Sequence, residues 1–416
     1  MKPYDLAVIG GGASGLAAAF AAARELSGTG RTVAVLEKNP RVGKKLLSTG
    51  NGRCNLTNSN VSAADYHGGA GLIKSVLERY PAQRIAGVFA DMGLVCRELD
   101  SGRVYPYSLQ ASSVLNVLRR GLEFYGVETV CGFAVEKLEK TSSGFLISAK
   151  GGGTVPARRA VLAAGGRACP QSGSCGDGYA ILRTFGHSIT ETRPALVQIR
   201  TDSARVRPLR GVRSPARALL KADGKTVAMS EGEVQFTDSA LSGICIFDLS
   251  RYVPCCKNEK SELSLDLMPE YSEDRIAAYL TRTARAEKKL SSDRLAEGIF
   301  GKVLGAELIR NALPGPFRPC GALKDEELAL MARTIKNFSF PVSGTLGWEH
   351  AQVTAGGVSS GEVSGDMQSR LCPGLFLCGE LLDADGKCGG YNLHWAWSTG
   401  FEAGTSAARS LKTESF

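Results

Sequence analysis

The first forty residues alternate between apolar runs and glycine-rich turns. The apolar run YDLAVI at 4–9 predicts a strand, the turn GGGASG follows it, and the alanine-rich stretch LAAAFAAARELSG predicts a helix that ends at Gly28. The next apolar run, RTVAVLEKN, predicts a second strand that ends at Glu37. A strand, a glycine turn, a helix and a strand in this order predict a βαβ unit.

The pattern then changes twice along the chain. Residues 112–125 carry apolar residues at helical spacing, and three β-like runs follow, the last ending in AVLAAGG at 160–166. Residues 193–250 have the pattern of antiparallel strands, and residues 272–336 have the pattern of helices. From about residue 346 the glycine-rich α/β pattern returns, and it ends in a helix from about Asn392 to Leu411.

A segment of different character between two similar ones indicates an insertion into a discontinuous domain. We therefore predict the α/β fold class, with a Rossmann-like domain formed by residues 1–192 and 346–416. The inserted domain covers residues 193–345 and is expected to be β-rich over 193–250 and helical over 272–336.

Composition excludes several classes of protein. The net charge is +9, but 50 basic residues are scattered among 41 acidic ones, so binding of nucleic acid is not favoured, whereas an anionic cofactor fits the mild surplus. The twelve cysteines contain no C-x-x-C pair and the four histidines no zinc pattern, which predicts reduced thiols and no metal site. With no signal peptide and no uninterrupted apolar span, we expect a cytoplasmic protein.

The glycine turn has the spacing of a dinucleotide-binding loop. Gly10 permits the tight turn, Gly12 lets the backbone approach a pyrophosphate, and Gly15 allows the helix to pack closely. The helix start offers free N–H groups to the phosphates. Glu37, at the end of the next strand, would accept hydrogen bonds from both hydroxyls of the adenosine ribose.

Two further turns favour FAD over NAD as the dinucleotide. The strand before Ala164, Gly165 and Gly166 brings the chain back to the same ligand, and a second strand ends at Gly379 and Glu380, near Asp383. FAD spans a long groove and needs contacts from distant parts of the chain. The sequence therefore predicts a FAD-binding domain of the glutathione-reductase type.

Stretches spread almost from end to end of the chain resemble one family. They are DLAVIGGGASGLAAA, EKNPRVGKKLLSTGNGRCNLTN, GRVYPYSLQASSV, AVLAAGGRACPQSGSCGDGY, GEVQFTDSALSGICIFDLSR, AQVTAGGV and GLFLCGELLDADGKCGGYNLHWAWSTGFEAG. The family is that of bacterial flavoproteins which includes the Haemophilus-type hypothetical flavoproteins, aminoacetone oxidases and a bile-acid 3-oxo-Δ4,6-reductase. GKKLLSTGNGRCN together with GGYN is highly specific, and a more distant similarity connects the chain to the fumarate reductase group.

The resemblance implies that the loop at 44–58 lies along FAD from its pyrophosphate to the isoalloxazine ring. The last helix would point its positive end at the flavin pyrimidine, where it would stabilise the negative charge of a reduced flavin. Beyond the residues already named, FAD contacts are implied for Ala13, Ser14, Lys38, Lys44, Lys45, Ser48, Gly50, Asn51, Gly52, Arg53, Cys54, Asn55, Val135, Gly357, Gly389, Gly390, Tyr391, Asn392 and Leu393.

No catalytic acid or base stands out in the sequence. His394, in the first turn of the last helix, is a weak candidate for a proton donor and is more often a packed wall residue. Trp395 and Trp397 are expected to pack that helix. No second Gly-x-Gly-x-x-Gly unit follows a strand, so NAD(P)H, if it is the electron donor, must dock directly against the flavin face or the inserted domain.

Hydride transfer through flavin N5 is the expected chemistry, and a small-molecule substrate is the expected partner. One precedent in the family is NAD(P)H-dependent reduction of a C=C bond conjugated to a carbonyl in a steroid-like acid, which we favour. Another is oxidation of a small primary amine such as aminoacetone by O₂. The substrate is expected above the flavin, between AQVTAGGV and the inserted domain, where Gly356 and Gly357 would leave room for a planar molecule.

FAD-dependent modification of RNA is a third possibility. A related flavoprotein family acts on tRNA, and five arginines lie close together at 205, 207, 210, 213 and 217. Arg207 and Arg210 could equally hold the carboxylate of a small substrate. The oligomeric state cannot be predicted from the sequence.

Overall fold

Residues 3–253 and 260–413 are described by the structure, which is a computed structural model. The chain divides into unit 1, formed by Met1–Pro194 and Gln352–Phe416, and unit 2, formed by Ala195–Ala351. Unit 2 thus begins at 195 where the sequence predicted 193, and ends at 351 where it predicted 345. The FAD-binding and substrate-selecting roles of the two domains stay predictions.

The strands and helices follow each other in a regular order. The strands are β1 (Tyr4–Ile9), β2 (Val33–Glu37), β3 (Thr57–Asn58), β4 (Tyr66–Gly68), β5 (Cys96–Glu98), β6 (Arg103–Pro106), β7 (Glu128–Cys131), β8 (Val135–Thr141), β9 (Gly144–Ala149), β10 (Thr154–Leu162), β11 (Arg193–Ala195), β12 (Ile199–Thr201), β13 (Arg213–Ala222), β14 (Lys225–Phe236), β15 (Ala240–Ser242), β16 (Ser261–Asp266), β17 (Phe338–Thr345), β18 (Val353–Ala355), β19 (Leu375–Leu377) and β20 (Ala384–Gly386). The helices are α1 (Ala13–Glu25), α2 (Ala70–Arg79), α3 (Ala82–Asp91), α4 (Ala111–Phe124), α5 (Asp177–Thr184), α6 (Ser203–Val206), α7 (Ile244–Ser250), α8 (Glu273–Ala286), α9 (Lys302–Ala312), α10 (Asp325–Lys336) and α11 (Tyr391–Lys412).

Unit 1 is built on a parallel sheet in the order β7-β2-β1-β10-β19. The first residues of β10, Thr154 to Ala157, pair with β9, and β9 pairs with β8, so that these strands form an antiparallel extension of the sheet. The carboxyl ends of parallel strands meet at one edge of a sheet, where ligands of this fold class bind. The turns after β1, β2, β10 and β19 therefore share one edge, although they come from residues 10 to 379 of the chain. The predicted Rossmann-type α/β fold is confirmed.

The two ends of the chain pack tightly on each other in unit 1. A β-carbon at Gly400 would overlap the carbonyl oxygen of Ser14, and one at Gly404 would overlap that of Ala18. The small residues therefore let α11 approach the backbone of α1 more closely than ordinary side chains would permit. This contact fixes the start of α1 relative to α11.

Unit 2 contains a closed antiparallel barrel in the order β12-β15-β14-β13-β16-β17. The prediction of strands over 193–250 found four of these strands but missed β16 and β17, which flank the helices. Closure pairs Ile199 with Thr345 and leaves no open sheet edge. Helices α8, α9 and α10 fall within the segment predicted to be helical.

The first predicted helix ends three residues early, at Glu25 instead of Gly28, whereas two later helices agree with the prediction to within one residue at each end. The helix predicted over 112–125 is α4, and the helix predicted from 392 to 411 is α11. Trp395 and Trp397 pack the interior of unit 1, with 2% and 0% of their surfaces exposed. Within residues 3–253 and 260–413, no helix has the length and apolar character needed to cross a membrane.

Candidate functional site

The glycine turn between β1 and α1 leaves space at one position and none at the others. A β-carbon at Gly10 would overlap the Ala163 carbonyl oxygen, and one at Gly15 would overlap the Gly10 carbonyl oxygen. At Gly12, which precedes α1, no described heavy atom lies within 4 Å of such a β-carbon. No described side chain caps the N-terminus of α1, and its first turn holds no acidic residue. The arrangement suits an anion at the helix start.

Glu37 is buried at the end of β2, beside this turn. One carboxylate oxygen accepts the backbone N–H of Gly11 at 2.7 Å. The other accepts the backbone and side-chain N–H groups of Asn39, at 2.8 and 2.6 Å. The carboxylate therefore also holds the glycine turn in place, a role that the sequence did not reveal. Lys38 does not point to an open site, because it makes an ion pair of 2.5 Å with Asp177 of α5.

The turn after β10 meets both the glycine turn and β18. The Ala163 N–H donates to the Ile9 carbonyl at 2.8 Å, so Ala164, Gly165 and Gly166 follow directly beside β1. Gly165 has a φ of 74°, and a β-carbon at Gly166 would overlap Thr354 Oγ1. Val135 is the first residue of β8. Two residues earlier in the chain, the Phe133 N–H donates to the carbonyl of Glu37, at the end of β2, at 2.9 Å. It thus belongs to the same edge of the sheet.

Glu380 is the centre of a polar network that sequence reasoning only partly found. Lys45 Nζ lies 2.6 Å from Glu380 Oε2, while Glu380 Oε1 accepts the N–H of Thr354 at 3.0 Å and its hydroxyl at 2.8 Å. Thr354 Oγ1 also accepts the N–H groups of Arg167 and Ala168. The 44–58 loop, the turn after β10, β18 and the turn after β19 are thereby joined.

Tyr179 and Thr354 are the polar residues of this site that sequence reasoning missed. The Tyr179 hydroxyl is buried without a partner among the described residues. Burial, followed by the charge of Glu380, raises its pKa well above the usual value. Both residues lie in stretches that resemble the family, GDGY and AQVTAGGV, but nothing in their local pattern indicates a polar role.

The 44–58 loop is held by its own backbone and exposes much of its predicted binding surface. The Ser48 hydroxyl donates to the Lys45 carbonyl at 2.8 Å, so it closes the loop's own turn. Asn51 and Cys54 adopt positive φ angles of 55° and 57°. The predicted binding residues of this loop that remain exposed are Lys44, Ser48, Gly50, Asn51, Gly52 and Arg53. Burial raises the pKa of the Cys54 thiol to about 12, which makes it unreactive.

The start of α11 lies directly on the end of this loop. Gly390 has a φ of 100°, and a β-carbon there would lie 2.5 Å from the Thr57 carbonyl oxygen and 2.8 Å from Asn55 Oδ1. Asn55 Oδ1 is buried without a hydrogen-bond partner among the described residues. As at α1, no described side chain caps this helix start and no acidic residue lies in its first turn.

The other predicted residues near α11 mostly hold the turn that precedes it. The Asn392 amide donates to the Gly386 carbonyl at 2.7 Å and accepts the Gly386 N–H at 2.8 Å. Tyr391 accepts a hydrogen bond from the Tyr66 hydroxyl through its carbonyl. Gly389 accepts one from the Asn58 amide at 3.0 Å, and Leu393 is partly buried. The side chain of Asn392 thus stabilises the turn before α11, in addition to any contact with a ligand.

His394 is enclosed in the core below this helix start. Its side chain is fully buried, and Nδ1 lies 2.7 Å from the Thr57 hydroxyl. Burial lowers its pKa to about 4, and a hydrogen bond with the Tyr80 backbone opposes the shift. The imidazole is therefore neutral near pH 7. This placement favours the packed wall residue over the proton donor.

Gly356 and Gly357 do not leave room for a planar molecule in the way the sequence suggested. A β-carbon at Gly356 would overlap the Glu191 carbonyl oxygen, and one at Gly357 would lie 2.7 Å from the Leu381 carbonyl oxygen. Backbone segments already fill these spaces. That part of the prediction is wrong: the glycines allow close chain packing, and they bring the backbone of residues 381–383, including Asp383, to Gly357.

These residues fit a dinucleotide of the FAD type. The open space at Gly12 and the uncapped start of α1 suit a pyrophosphate, and the Glu37 carboxylate beside the turn is an acceptor suited to ribose hydroxyls. The buried Asn55 amide oxygen, which has no described hydrogen-bond partner, and the start of α11 suit a polar ring at the opposite end of such a dinucleotide. The fold and the turn together define a Rossmann-type α/β protein whose glycine turn has the spacing typical of dinucleotide-binding domains.

Comparisons with known proteins agree with this class. The family model described as "HI0933-like protein Rossmann domain" matches residues 4–406. A 3-dehydro-bile acid Δ(4,6)-reductase from Clostridium scindens is 38% identical over 97% of this chain and 98% of its own. A ribosomal RNA dihydrouridine synthase from Haemophilus influenzae is 26% identical over 97% of this chain and 98% of its own. The chain belongs to the HI0933-like family.

A solved structure supports the fold. A 3-ketosteroid-Δ4-(5α)-dehydrogenase from Rhodococcus jostii, in complex with 4-androstene-3,17-dione, superposes with a TM-score of 0.53 at 17% identity. The match covers 98% of this chain and 100% of that chain. The family and the fold make this chain an enzyme, a flavoenzyme-type oxidoreductase.

Proposed function

We propose that the protein binds FAD in unit 1 and reduces a C=C bond conjugated to a carbonyl, in a 3-oxo steroid or bile-acid-like substrate, with electrons from NAD(P)H. The observation that carries the proposal is the open space at Gly12, before an uncapped helix, in a chain 38% identical to a bile-acid reductase. A bound flavin would supply hydride transfer at N5. Overall, a hydride from NAD(P)H and a proton from water add across the double bond and leave NAD(P)⁺.

The residues of the site would hold FAD at three points. The N–H groups at the start of α1 face the pyrophosphate, and Glu37 accepts the ribose hydroxyls while it keeps the glycine turn in place. The start of α11 and the Asn55 amide hold the pyrimidine end of the flavin. Because α11 has no acidic residue in its first turn to oppose it, the helix dipole favours negative charge there, without help from the neutral His394.

Reduction of a uracil ring in ribosomal RNA is the second candidate. The observation in its favour is the 26% identity to a ribosomal RNA dihydrouridine synthase over nearly the full length. The chemistry is closely related, since the C5=C6 bond of uracil is also conjugated to a carbonyl. Against it, three of the five clustered arginines are neutralised by carboxylates: Arg210, Arg213 and Arg217 pair with Asp238, Glu233 and Glu231. The same pairing argues against Arg210 as a holder of a substrate carboxylate.

Anaerobic stopped-flow spectroscopy of the flavin band tests these alternatives. We expect NADH or NADPH to bleach the band and a 3-oxo-4-ene bile acid to restore it, with a saturated 3-oxo bile acid as the inert control. Bleaching by aminoacetone alone, with peroxide formed on admitting air, would replace the proposal by amine oxidation. Reoxidation by a ribosomal RNA transcript, with dihydrouridine found by mass spectrometry and no reaction with the enone, would replace it by RNA reduction.

A further inference from the structure

The motif GRVYPYSLQ, which the FAD site does not use, forms one strand of an exposed β-ribbon. β5 and β6 pair so that Arg97 lies opposite Tyr105, while backbone hydrogen bonds join Val95 to Tyr107 and Leu99 to Arg103. Side chains of a strand alternate between its faces. We name the face formed by the following six side chains the aromatic ribbon: Val95, Arg97, Leu99, Arg103, Tyr105 and Tyr107.

The aromatic ribbon exposes large apolar and aromatic side chains. The exposed fractions are 68% for Val95, 61% for Tyr107 and 38% for Leu99. The guanidinium of Arg97 lies 4.4 Å from the centre of the Tyr107 ring and donates to the Tyr107 carbonyl at 2.7 Å. A guanidinium stacked on a tyrosine gives a flat surface that is both positive and aromatic.

The charges of the aromatic ribbon are not neutralised. Neither Arg97 nor Arg103 forms an ion pair with a carboxylate of the described residues, and Arg97 Nε is buried without a partner there. Among the described residues, the Arg103 side chain donates only to the Asp100 backbone carbonyl. An unpaired, partly desolvated guanidinium next to aromatic rings complements a ligand that carries both phosphate and a flat ring.

The aromatic ribbon begins at the FAD site. β6 pairs with β3, which places Arg103 opposite Asn58, and the Asn58 amide donates to the Gly389 carbonyl just before α11. A ligand that reaches the start of α11 can therefore continue along Arg103, Tyr105 and Tyr107. From Arg103 to Tyr107 the strand extends over roughly 14 Å.

We infer that the aromatic ribbon docks the adenosine and phosphate half of NAD(P)H. This inference rests on the proposed function, in which NAD(P)H supplies the electrons and the sequence contains no second dinucleotide-binding turn. The adenine stacks on the Tyr107 and Arg97 surface, and Arg103 and Arg97 attract the phosphates. The nicotinamide is left free to reach the Gly389 end of the ribbon.

The test separates reduction of the enzyme from its reoxidation. Arg97→Gln, Arg103→Gln and Tyr107→Ala are each expected to raise the apparent Kd for NAD(P)H in anaerobic reduction about tenfold. The limiting rate at saturation should change little, and Tyr107→Phe should restore binding because it keeps the ring. Matched controls are Arg213→Gln in unit 2 and Phe124→Ala, which removes another exposed aromatic side chain of unit 1 (81% exposed). FAD content, measured by absorbance, confirms that each variant is folded.

Reoxidation of dithionite-reduced enzyme by the enone bypasses NAD(P)H and should be the same in all variants. If the enone failed to reoxidise the reduced wild-type enzyme, the proposed function would be contradicted. The Kd values of the variants for NAD(P)H would then still test the docking site. Unchanged Kd values, or failure of both NADH and NADPH to reduce the wild type, would overturn the inference. It would also be overturned if the variants weakened binding of an rRNA transcript, or slowed reoxidation by the enone, without changing the Kd for NAD(P)H.

Discussion

In unit 2, Arg210, Arg213 and Arg217 each lie within 3.1 Å of a carboxylate, and their charges cancel on the barrel surface. In unit 1, polar groups are left without protein partners at the edge of the sheet and beside it: Asn55 Oδ1 and the Tyr179 hydroxyl are buried and unsatisfied within the described chain. An unsatisfied buried polar atom costs about 1–3 kcal/mol. Among the described residues of unit 2, Gln198 Oε1 is also buried and unsatisfied, but it lies outside the predicted cofactor site. The two atoms in unit 1 lie in or beside that site, where a bound cofactor would satisfy them, whereas paired surface charges serve stability and solubility.

The largest difference between the units should come from matched glycine substitutions. Gly12 precedes α1 and Gly301 precedes α9; at both, a β-carbon would meet no described atom within 4 Å. Gly12→Val should abolish FAD binding, because its side chain fills the space for the pyrophosphate. Gly301→Val should keep full FAD content. Absorbance of the purified proteins measures both, and a yellow Gly12→Val protein would contradict the assignment of the phosphate site.

Glu37→Ala should weaken FAD binding less than Gly12→Val. It removes the ribose hydrogen bonds and the carboxylate that accepts Gly11 N–H, but leaves the phosphate space open. Each lost hydrogen bond to a charged group is worth about 1.5–3 kcal/mol, so we expect a 10- to 100-fold rise in the Kd of FAD by fluorescence titration. Glu37→Gln keeps the acceptor oxygen and should recover part of the loss. Equal affinity for all three proteins would remove Glu37 from the site.

The buried imidazole of His394 should make folding stability depend on pH. Its pKa is about 4 in the folded chain against 6.5 for an ordinary histidine, so the unfolded chain binds more protons between these values. Stability is therefore complete above pH 6.5 and is lost as pH falls towards 4, by about 2 kcal/mol at pH 5. Urea unfolding at pH 7 and pH 5 should show a smaller difference for His394→Asn than for the wild type. The exposed His350→Asn serves as the control, and an equal pH dependence in all three would refute the assignment.

The smallest effect is expected at the paired arginines of unit 2. Arg213 and Glu233 form an exposed ion pair, with 58% and 46% of their side chains exposed. Such pairs contribute less than about 1 kcal/mol, so Arg213→Gln should leave urea unfolding and FAD content nearly unchanged. A large loss of FAD in this variant would show that the contrast between the two units is mistaken.

The beginning of the site could be predicted from the sequence because its signals are local. The βαβ pattern, the spacing of Gly10, Gly12 and Gly15, and the acidic end of β2 all lie within forty residues. Each follows from backbone geometry that the neighbouring residues set. The end of α4 at Phe124 and the start of α11 at Tyr391 could be placed to within one residue for the same reason.

Tertiary structure decided what depends on residues far apart in the chain. The Lys45–Glu380 pair and the Thr354 network join segments separated by up to 335 residues, and no local pattern marks them. Barrel closure by β16 and β17 and the packing role of Gly356 and Gly357 are of the same kind. Their energies come from contacts that exist only after the chain has folded, so the residues themselves carry no periodic signal. The amide oxygen of Asn55 is a further example, because only the folded structure shows that it is buried without a described hydrogen-bond partner.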